Sequence, residues 1–324
     1  MRLTFDEIKG ITVGAIKTEQ QDDGIHFFKC TKSQTEAWYE LSRDLGDRSL
    51  CTTGVRLDFI TNSRNFSFGS ASGDVYELYV NMQLREQIFP NEKGNRKLDY
   101  SVHLSNQRLE DLEEYRVTLV FPSHHLPGVI TYVEVDDGAY VKPCEYSQNI
   151  LFIGDSITQG WQTSHDSLSY AYKVSFNLNA NSVINGIGGA VFAESTFDKI
   201  DYDPDTVIIA YGTNDWGRYG RNPETIIGHA AGYLDLIKKE YTDKKVFVIS
   251  PIWRCDSATG EPMPPLFDEC RKMIEKEAEK RGFIAVDGLS MVPPVRKFFA
   301  DGYLHPNDLG FSLYAESLLK VLNK

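Results

Sequence analysis

The chain has 324 residues, more than one core usually serves, so two domains are expected. Hydrophobic residues make up 41% and charged residues 25%, the balance of an ordinary globular protein. The formal net charge of −12 argues against a broad basic surface for nucleic acid or anionic lipid, because phosphate binding needs clustered Lys and Arg.

The start, MRLTFDEIKGITVG, has no apolar core of a leader, and no later stretch could span a bilayer. The five cysteines (Cys30, Cys51, Cys144, Cys255, Cys270) are odd in number and widely spaced. They form no CxxC pair and have no His at metal-ligand spacing, so no structural zinc is expected. A cytoplasmic protein with reduced thiols is the expectation.

From Ile11 to about Cys144 the chain reads as short strands. Ser33 to Arg43 interrupts them as one short helix, with Ser33 as cap and Glu36 completing a capping box. Val55-Arg56-Leu57-Asp58-Phe59-Ile60 alternates apolar and polar, as a half-buried strand does. Arg64 to Phe68, Val75 to Val80, Tyr100 to Leu104, Tyr115 to Phe121 and Val129 to Val135 continue the series. Turn-forming clusters separate them at 61–63, 70–74, 90–94 and 127–128. Such spacing suggests an antiparallel sandwich or jelly roll over residues 1–146. His124-His125 attracts notice as a metal site, but neighbours on a strand point to opposite faces, and flanking Pro122 and Pro127 favour a surface loop.

The period changes after Pro143. Ile150-Leu151-Phe152-Ile153 is a continuous apolar run, expected for a strand buried on both faces. It stops at Gly154-Asp155-Ser156, where glycine lets the backbone turn. Tyr170 to Leu178 has helical spacing, and Ser182 to Ile184 reads as a strand leading into Asn185-Gly186-Ile187-Gly188-Gly189. Thr206 to Ala210 is a third buried strand, ending in Tyr211-Gly212-Thr213-Asn214-Asp215. A helix over Pro223 to Tyr241, a strand over Lys245 to Ser250 and a helix over Pro265 to Arg281 follow. Phe283 to Val286 and a helix from Asp308 to Leu322 close the chain. Alternating strands and helices over 147–324 mean a parallel sheet covered on both faces.

The chemistry-bearing residues fall at the C-terminal ends of these strands, which share one edge of a parallel sheet. Acyl transfer needs a nucleophile, a base and donors for the oxyanion. Ser156 can be the nucleophile and His305, before Pro306, the base. The backbone N–H groups of Ser156 and Gly189 and the amide of Asn214 can be the donors. Asp155 and Asp215 also admit a bland reading, tying down their own turns by local hydrogen bonds.

These stretches, in this order, resemble the four blocks of the SGNH hydrolases, also called the GDSL esterase/lipase family. GDSITQG is similar to the Ser block, NGIGG to the Gly block, YGTNDW to the Asn block and DGYLHPND to the His block. The resemblance implies a flavodoxin-like, three-layer α/β/α hydrolase domain over 147–324, with Ser156 as nucleophile, His305 as general base and Ser156, Gly189 and Asn214 as oxyanion hole. Asp301 is the candidate for orienting the imidazole. It stands four residues before His305, where the family usually has three. Either a shifted turn still delivers the carboxylate, or the site is a Ser–His dyad with a backbone carbonyl holding the ring. The order of the halves also resembles two-domain SGNH esterases, several of which act on acetylated carbohydrates.

Trp161, Trp216 and Trp253 each follow an expected active-site loop closely, and Arg254 adjoins the last. They are candidates for a substrate rim, against the reading that they fill core. No long apolar loop offers a lipase lid. The expected substrate is therefore a short acyl ester, an acetyl group on a carbohydrate or small polyol, with no metal or organic cofactor, nucleic acid or membrane partner. An acyltransferase shares the first half-reaction, a lipase or thioesterase-type acylhydrolase is a further alternative, and a carbohydrate-binding protein with a relict hydrolase domain is the non-enzymatic rival.

Overall fold

The computed structural model describes residues 1–72, 74–90, 97–105 and 112–323. The turn expected at 90–94 lies outside them beyond Pro90, as does Gly73 of the turn expected at 70–74. The chain divides into two compact units, Met1–Lys29 with Leu50–Tyr146 and Cys30–Ser49 with Ser147–Lys324. Residues 30–49 therefore group with the second unit, whereas the sequence reading left them in the first.

The first unit is a β-sandwich. One antiparallel sheet runs Thr12–Val13, Arg56–Thr61, Tyr115–Val120, Tyr76–Val80, Gln83–Ile88, and Val141–Pro143 also pairs with Arg56–Thr61. The other runs Lys17–Gln21, Gly24–Phe28, Val129–Val135, Asn65–Ser72, Leu98–His103. Leu57, Phe59, Phe66, Phe68, Val117, Leu119, Ile130 and Val133 all belong to one buried core. The alternation at 55–60 suggested one wet face, yet Arg56 and Asp58 are buried as well. Asp58 accepts from Arg116 Nη2 at 2.7 Å, Arg116 Nε at 2.9 Å and the Tyr146 hydroxyl at 2.7 Å. Burial opposes its ionisation, but these donors and the Arg56 guanidinium outweigh it and hold the carboxyl at about 2.

The second unit is a three-layer α/β/α domain around a parallel sheet ordered Ala180–Gly186, Gln148–Gly154, Thr206–Ala210, Lys245–Ile249, Ile284–Val286. The central strands are almost wholly buried, as continuous apolar runs require. The helix Tyr170–Asn177 packs with Asp308–Leu322, where Tyr170 and Tyr314 stack at 4.1 Å. Pro223–Glu240 packs with Pro265–Lys280. The chain leaves Gln148–Gly154 toward one edge of the sheet and Thr206–Ala210 toward the other. Those two neighbouring strands thus flank the topological switch point, where α/β sheets open a crevice at their carboxyl ends.

Residues 30–49 add two helices, Lys32–Leu41 and most of Arg43–Leu50. The cap of the first is Thr31, two residues before the expected Ser33. Thr31 Oγ1 accepts from Gln34 N at 3.1 Å and Gln34 Oε1 accepts from Thr31 N at 3.0 Å, a capping box in place of Ser33 with Glu36. Among the described residues no helix is long and apolar enough to cross a membrane.

Candidate active site

The strand Gln148–Gly154 ends in a tight elbow. Gly154 is required there by space rather than by φ, since a Cβ would lie 1.9 Å from Thr158 Oγ1. Asp155 caps the four-residue helix Ser156–Gln159 through a 2.9 Å bond from Ile157 N, which is the local tie its bland reading described. Burial pushes its carboxyl up to about 6 against that bond. Gly160, at φ +90°, closes the helix. Ser156 stands at the first helical position, 7% exposed.

His305 reaches this serine from the segment before the last helix. Ser156 Oγ and His305 Nε2 are 2.9 Å apart, and His305 Nδ1 and Asp301 Oδ2 are 2.7 Å apart. The four-residue offset is absorbed by a turn wound around the carboxylate. Asp301 Oδ1 accepts backbone N–H groups from Tyr303 at 3.0 Å, Leu304 at 2.8 Å and His305 at 3.1 Å. Burial works against the charge of Asp301, but the His305 bond and these amides prevail and hold it at about 2. The turn is tied at its base, because Ala300 N donates to His305 O at 2.8 Å and Asn307 N to Phe298 O at 2.9 Å.

The Gly block continues from the edge strand Ala180–Gly186. A Cβ on Gly186 would come 2.5 Å from Gln159 N, so glycine lets the elbow helix lie against the strand end. Gly188 N donates to Gln159 Oε1 at 2.8 Å, and Gly189 follows at φ +88°. Asn214, after Thr206–Ala210, donates from Nδ2 to Ala190 O at 3.1 Å. That leaves the second N–H of the amide for a ligand. Asp215 is fully buried, accepts from Phe192 N at 2.9 Å, and is pushed up to about 7 by burial. It ties the Asn loop to the Gly loop.

A cavity of 230 Å³ opens over these groups, lined by Arg48, Ser156, Trp161, Gly188, Gly189, Asn214, Leu304 and His305. Of the rim candidates it includes Trp161 alone. Trp216 is 3% exposed and meets Phe267 edge-on at 5.4 Å, and Trp253 packs on Phe299 at 4.8 Å. Arg254 turns inward, donating to Thr213 O at 2.9 Å and Thr213 Oγ1 at 3.2 Å. The cation at the cavity is instead Arg48, from the helix Arg43–Leu50, which the sequence reading did not single out.

No curated protein matches the chain significantly in sequence. Solved structures do resemble it in fold. A salicylyl-acyltransferase from a tetracycline biosynthetic pathway is 17% identical with a TM-score of 0.78, over 96% of this chain and 94% of that one. A protein assigned as a GDSL-like lipase from Bacteroides ovatus is 16% identical with a TM-score of 0.73, over 100% of this chain and 97% of that one. A family two carbohydrate esterase from Clostridium thermocellum in complex with cellohexaose is 17% identical with a TM-score of 0.62, over 84% of this chain and 92% of that one. Residues 152–313, half of the chain, match the profile of the GDSL-like lipase/acylhydrolase family, and the chain belongs to that family.

Proposed function

We propose that the protein is a serine esterase that removes short acyl groups, foremost acetyl, from a carbohydrate or similar polyol. The observation that carries this reading is the unbroken hydrogen-bonded chain Ser156 Oγ, His305 Nε2, His305 Nδ1, Asp301 Oδ2, at 2.9 and 2.7 Å. In the proposed reaction Ser156 Oγ attacks the ester carbon as His305 Nε2 takes its proton. The oxyanion that forms is held by the N–H groups of Ser156 and Gly189 and the free N–H of Asn214. His305 then returns the proton to the departing alcohol oxygen. Water, deprotonated by the same imidazole, releases the acid from acyl-Ser156.

The cavity supports a small acyl group. At 230 Å³ it lies below the roughly 300–1,000 Å³ of drug-sized ligand sites, and Trp161 and Leu304 are its large apolar walls among the described residues. Carbohydrate as the alcohol is supported by the fold likeness to a carbohydrate esterase in complex with cellohexaose. A defined set of acetylated mono- and oligosaccharides, assayed beside long-chain esters on wild type and Ser156→Ala, tests the reading. Hydrolysis of the acetylated sugars, lost in Ser156→Ala, is expected, whereas faster turnover of the long-chain esters would sink it. The likeness in fold to a salicylyl-acyltransferase keeps transfer to an alcohol as the second reading. Product analysis with added acceptor alcohols separates the two.

A further inference from the structure

Gly188 and Gly189 adjoin at the one place where an esterase needs a rigid donor. Paired glycines are the freest backbone a chain can have, and an oxyanion donor acts only if it is fixed before the charge appears. Something outside the dipeptide must fix it. Gln159 does so on one side, accepting from Gly188 N at 2.8 Å. On the other side Arg48 Nη1 donates to Gly188 O at 2.7 Å, across 140 residues of sequence.

The second bond has a directional consequence. Gly188 C=O and Gly189 N–H belong to one peptide unit, and there is no cis bond among the described residues. In a planar trans unit the two point in opposite directions. A carbonyl held on Arg48 therefore directs the Gly189 N–H away from Arg48, and Gly189 lines the cavity together with Ser156 and Asn214. The guanidinium also withdraws electron density through the carbonyl, which makes the same N–H a stronger donor.

Arg48 is itself restrained. Its guanidinium carbon lies 5.9 Å from the centre of the Trp161 ring, and Nη2 is 3.8 Å from Asp44 one turn back. Trp161 N in turn donates to Ser156 O at 2.9 Å, so this contact is anchored in the elbow. Leu45, on the same helix, lies 3.4 Å from where a Cβ on Gly189 would sit, and Arg48 Nη1 lies 3.2 Å from it.

We infer that Arg48 is a positioning residue for the proposed oxyanion hole: it acts through the 188–189 peptide, fixing and polarising the Gly189 N–H. The inference rests on the esterase reading and adds to it a residue from outside the four motif blocks. It differs from a substrate-gripping arginine in what it should change. A group that orients a transition-state donor lowers kcat, whereas one that binds the ground state raises KM.

The test uses the full chain and uncharged probes: a neutral acetyl ester and a neutral serine-directed phosphonate, whose phosphoryl oxygen occupies the oxyanion position. Arg48→Gln is expected to lower kcat about tenfold to a hundredfold with KM within about twofold, less than loss of a whole donor costs. Phosphonate labelling of Ser156 slows in proportion. Arg48→Lys recovers part of the rate, and added guanidinium recovers part in Arg48→Ala. An unchanged kcat, with or without a raised KM, overturns the inference. So does a kcat loss that follows the thermal midpoint and is not rescued by lysine or guanidinium. A wild type that neither turns over the ester nor labels overturns the esterase reading, and this inference with it; an active, labelled wild type with an unaffected Arg48→Gln overturns this inference alone.

Discussion

Asp301→Asn separates a working triad from a Ser–His dyad. The Asp301 side chain is 15% exposed and that of His305 12%, so solvent does little to compensate a change between them. Asparagine is nearly isosteric, and its Oδ1 can accept the three backbone amides that Asp301 Oδ1 holds, from Tyr303, Leu304 and His305. Its Nδ2 then faces His305 Nδ1, which sits 2.7 Å from Asp301 Oδ2 in the wild type. An amide N–H there demands an acceptor, so the ring proton moves to Nε2 and His305 presents N–H rather than a lone pair to Ser156. The nucleophile loses its base although every heavy atom stays in place.

The expected fall in kcat at neutral pH is about 10⁴-fold, the effect of the wrong tautomer in a Ser-His-Asp site, which is about 5 kcal/mol of barrier. Stability should change much less. The carboxyl is held at about 2 instead of its ordinary 3.8. A folded pKa below the unfolded one contributes stability that is present above the unfolded value and lost as pH falls through the folded one, here between about 4 and 2. Its removal at pH 7 costs roughly 2 kcal/mol, a few degrees in thermal midpoint. The assay is steady-state hydrolysis of a short acetyl ester beside a thermal melt of the same sample. A folded variant with less than about tenfold loss of kcat would refute the reasoning and leave a dyad.

Two further outcomes are expected. Gly189→Ala places a side chain at φ +88°, with its Cβ 3.2 Å from Arg48 Nη1; the left-handed conformation costs about 1–2 kcal/mol of stability, and kcat should fall further than a melt of the variant accounts for. Asp215, pushed up to about 7 by burial, should act on stability with the opposite sign to Asp301. A raised folded pKa gives stability that is full below about 4 and lost as pH rises through about 7. Asp155, at about 6, acts the same way and remains in the variant, so Asp215→Asn should lessen the fall in thermal midpoint throughout the interval from about pH 4 to about pH 7, and above pH 6 leave little of the fall that these two groups cause. A curve parallel to wild type across that interval would show that Asp215 does not titrate there.

The catalytic half was legible because its strands are buried on both faces and its chemistry sits where they stop. Ile150 to Ile153 and Thr206 to Ala210 read as strands without help, and the expected helix from Asp308 to Leu322 has those bounds in the structure. Strands with little apolar content were missed. Lys17–Gln21 reads KTEQQ and is largely exposed, so nothing in it marks a sheet edge. The helix that carries Arg48 was missed for a related reason. RDLGDRSL buries only Leu45, Gly46 and Ser49, and Gly46 is there because a Cβ would strike the Tyr39 ring at 2.2 Å. With only Leu45 and Leu50 as large apolar side chains, eight residues are too few to mark a helix by periodicity. The tryptophans misled differently. Nearness in sequence to Asn214 said nothing of direction, and one turn of helix, Asp215–Arg218, carries Trp216 into the core.

The three aspartates of the site show what a motif cannot convey, because the same side chain is driven in opposite directions within one domain. Asp155 and Asp215 stand beside Ser156 and Asn214, and burial pushes them up to about 6 and about 7. Asp301 accepts three amides and an imidazole and is held at about 2. In the proposed reaction a charge on Asp215 would repel an oxyanion near Ser156, Gly189 and Asn214, and burial holds that carboxyl part-protonated near neutral pH, whereas Asp155, at about 6, is largely ionised there. The imidazolium that the proposed mechanism forms on His305 in the same step would be stabilised by Asp301, which is held at about 2 and stays anionic. On the proposed mechanism, negative charge is thus favoured beside His305 and less favoured beside Asn214, and Arg48 lies against the Gly188 carbonyl. The difference follows from unequal burial and unequal numbers of N–H donors, set by the turn at 301–305 for Asp301, by the elbow at 154–160 for Asp155 and by the contact with Phe192 N for Asp215.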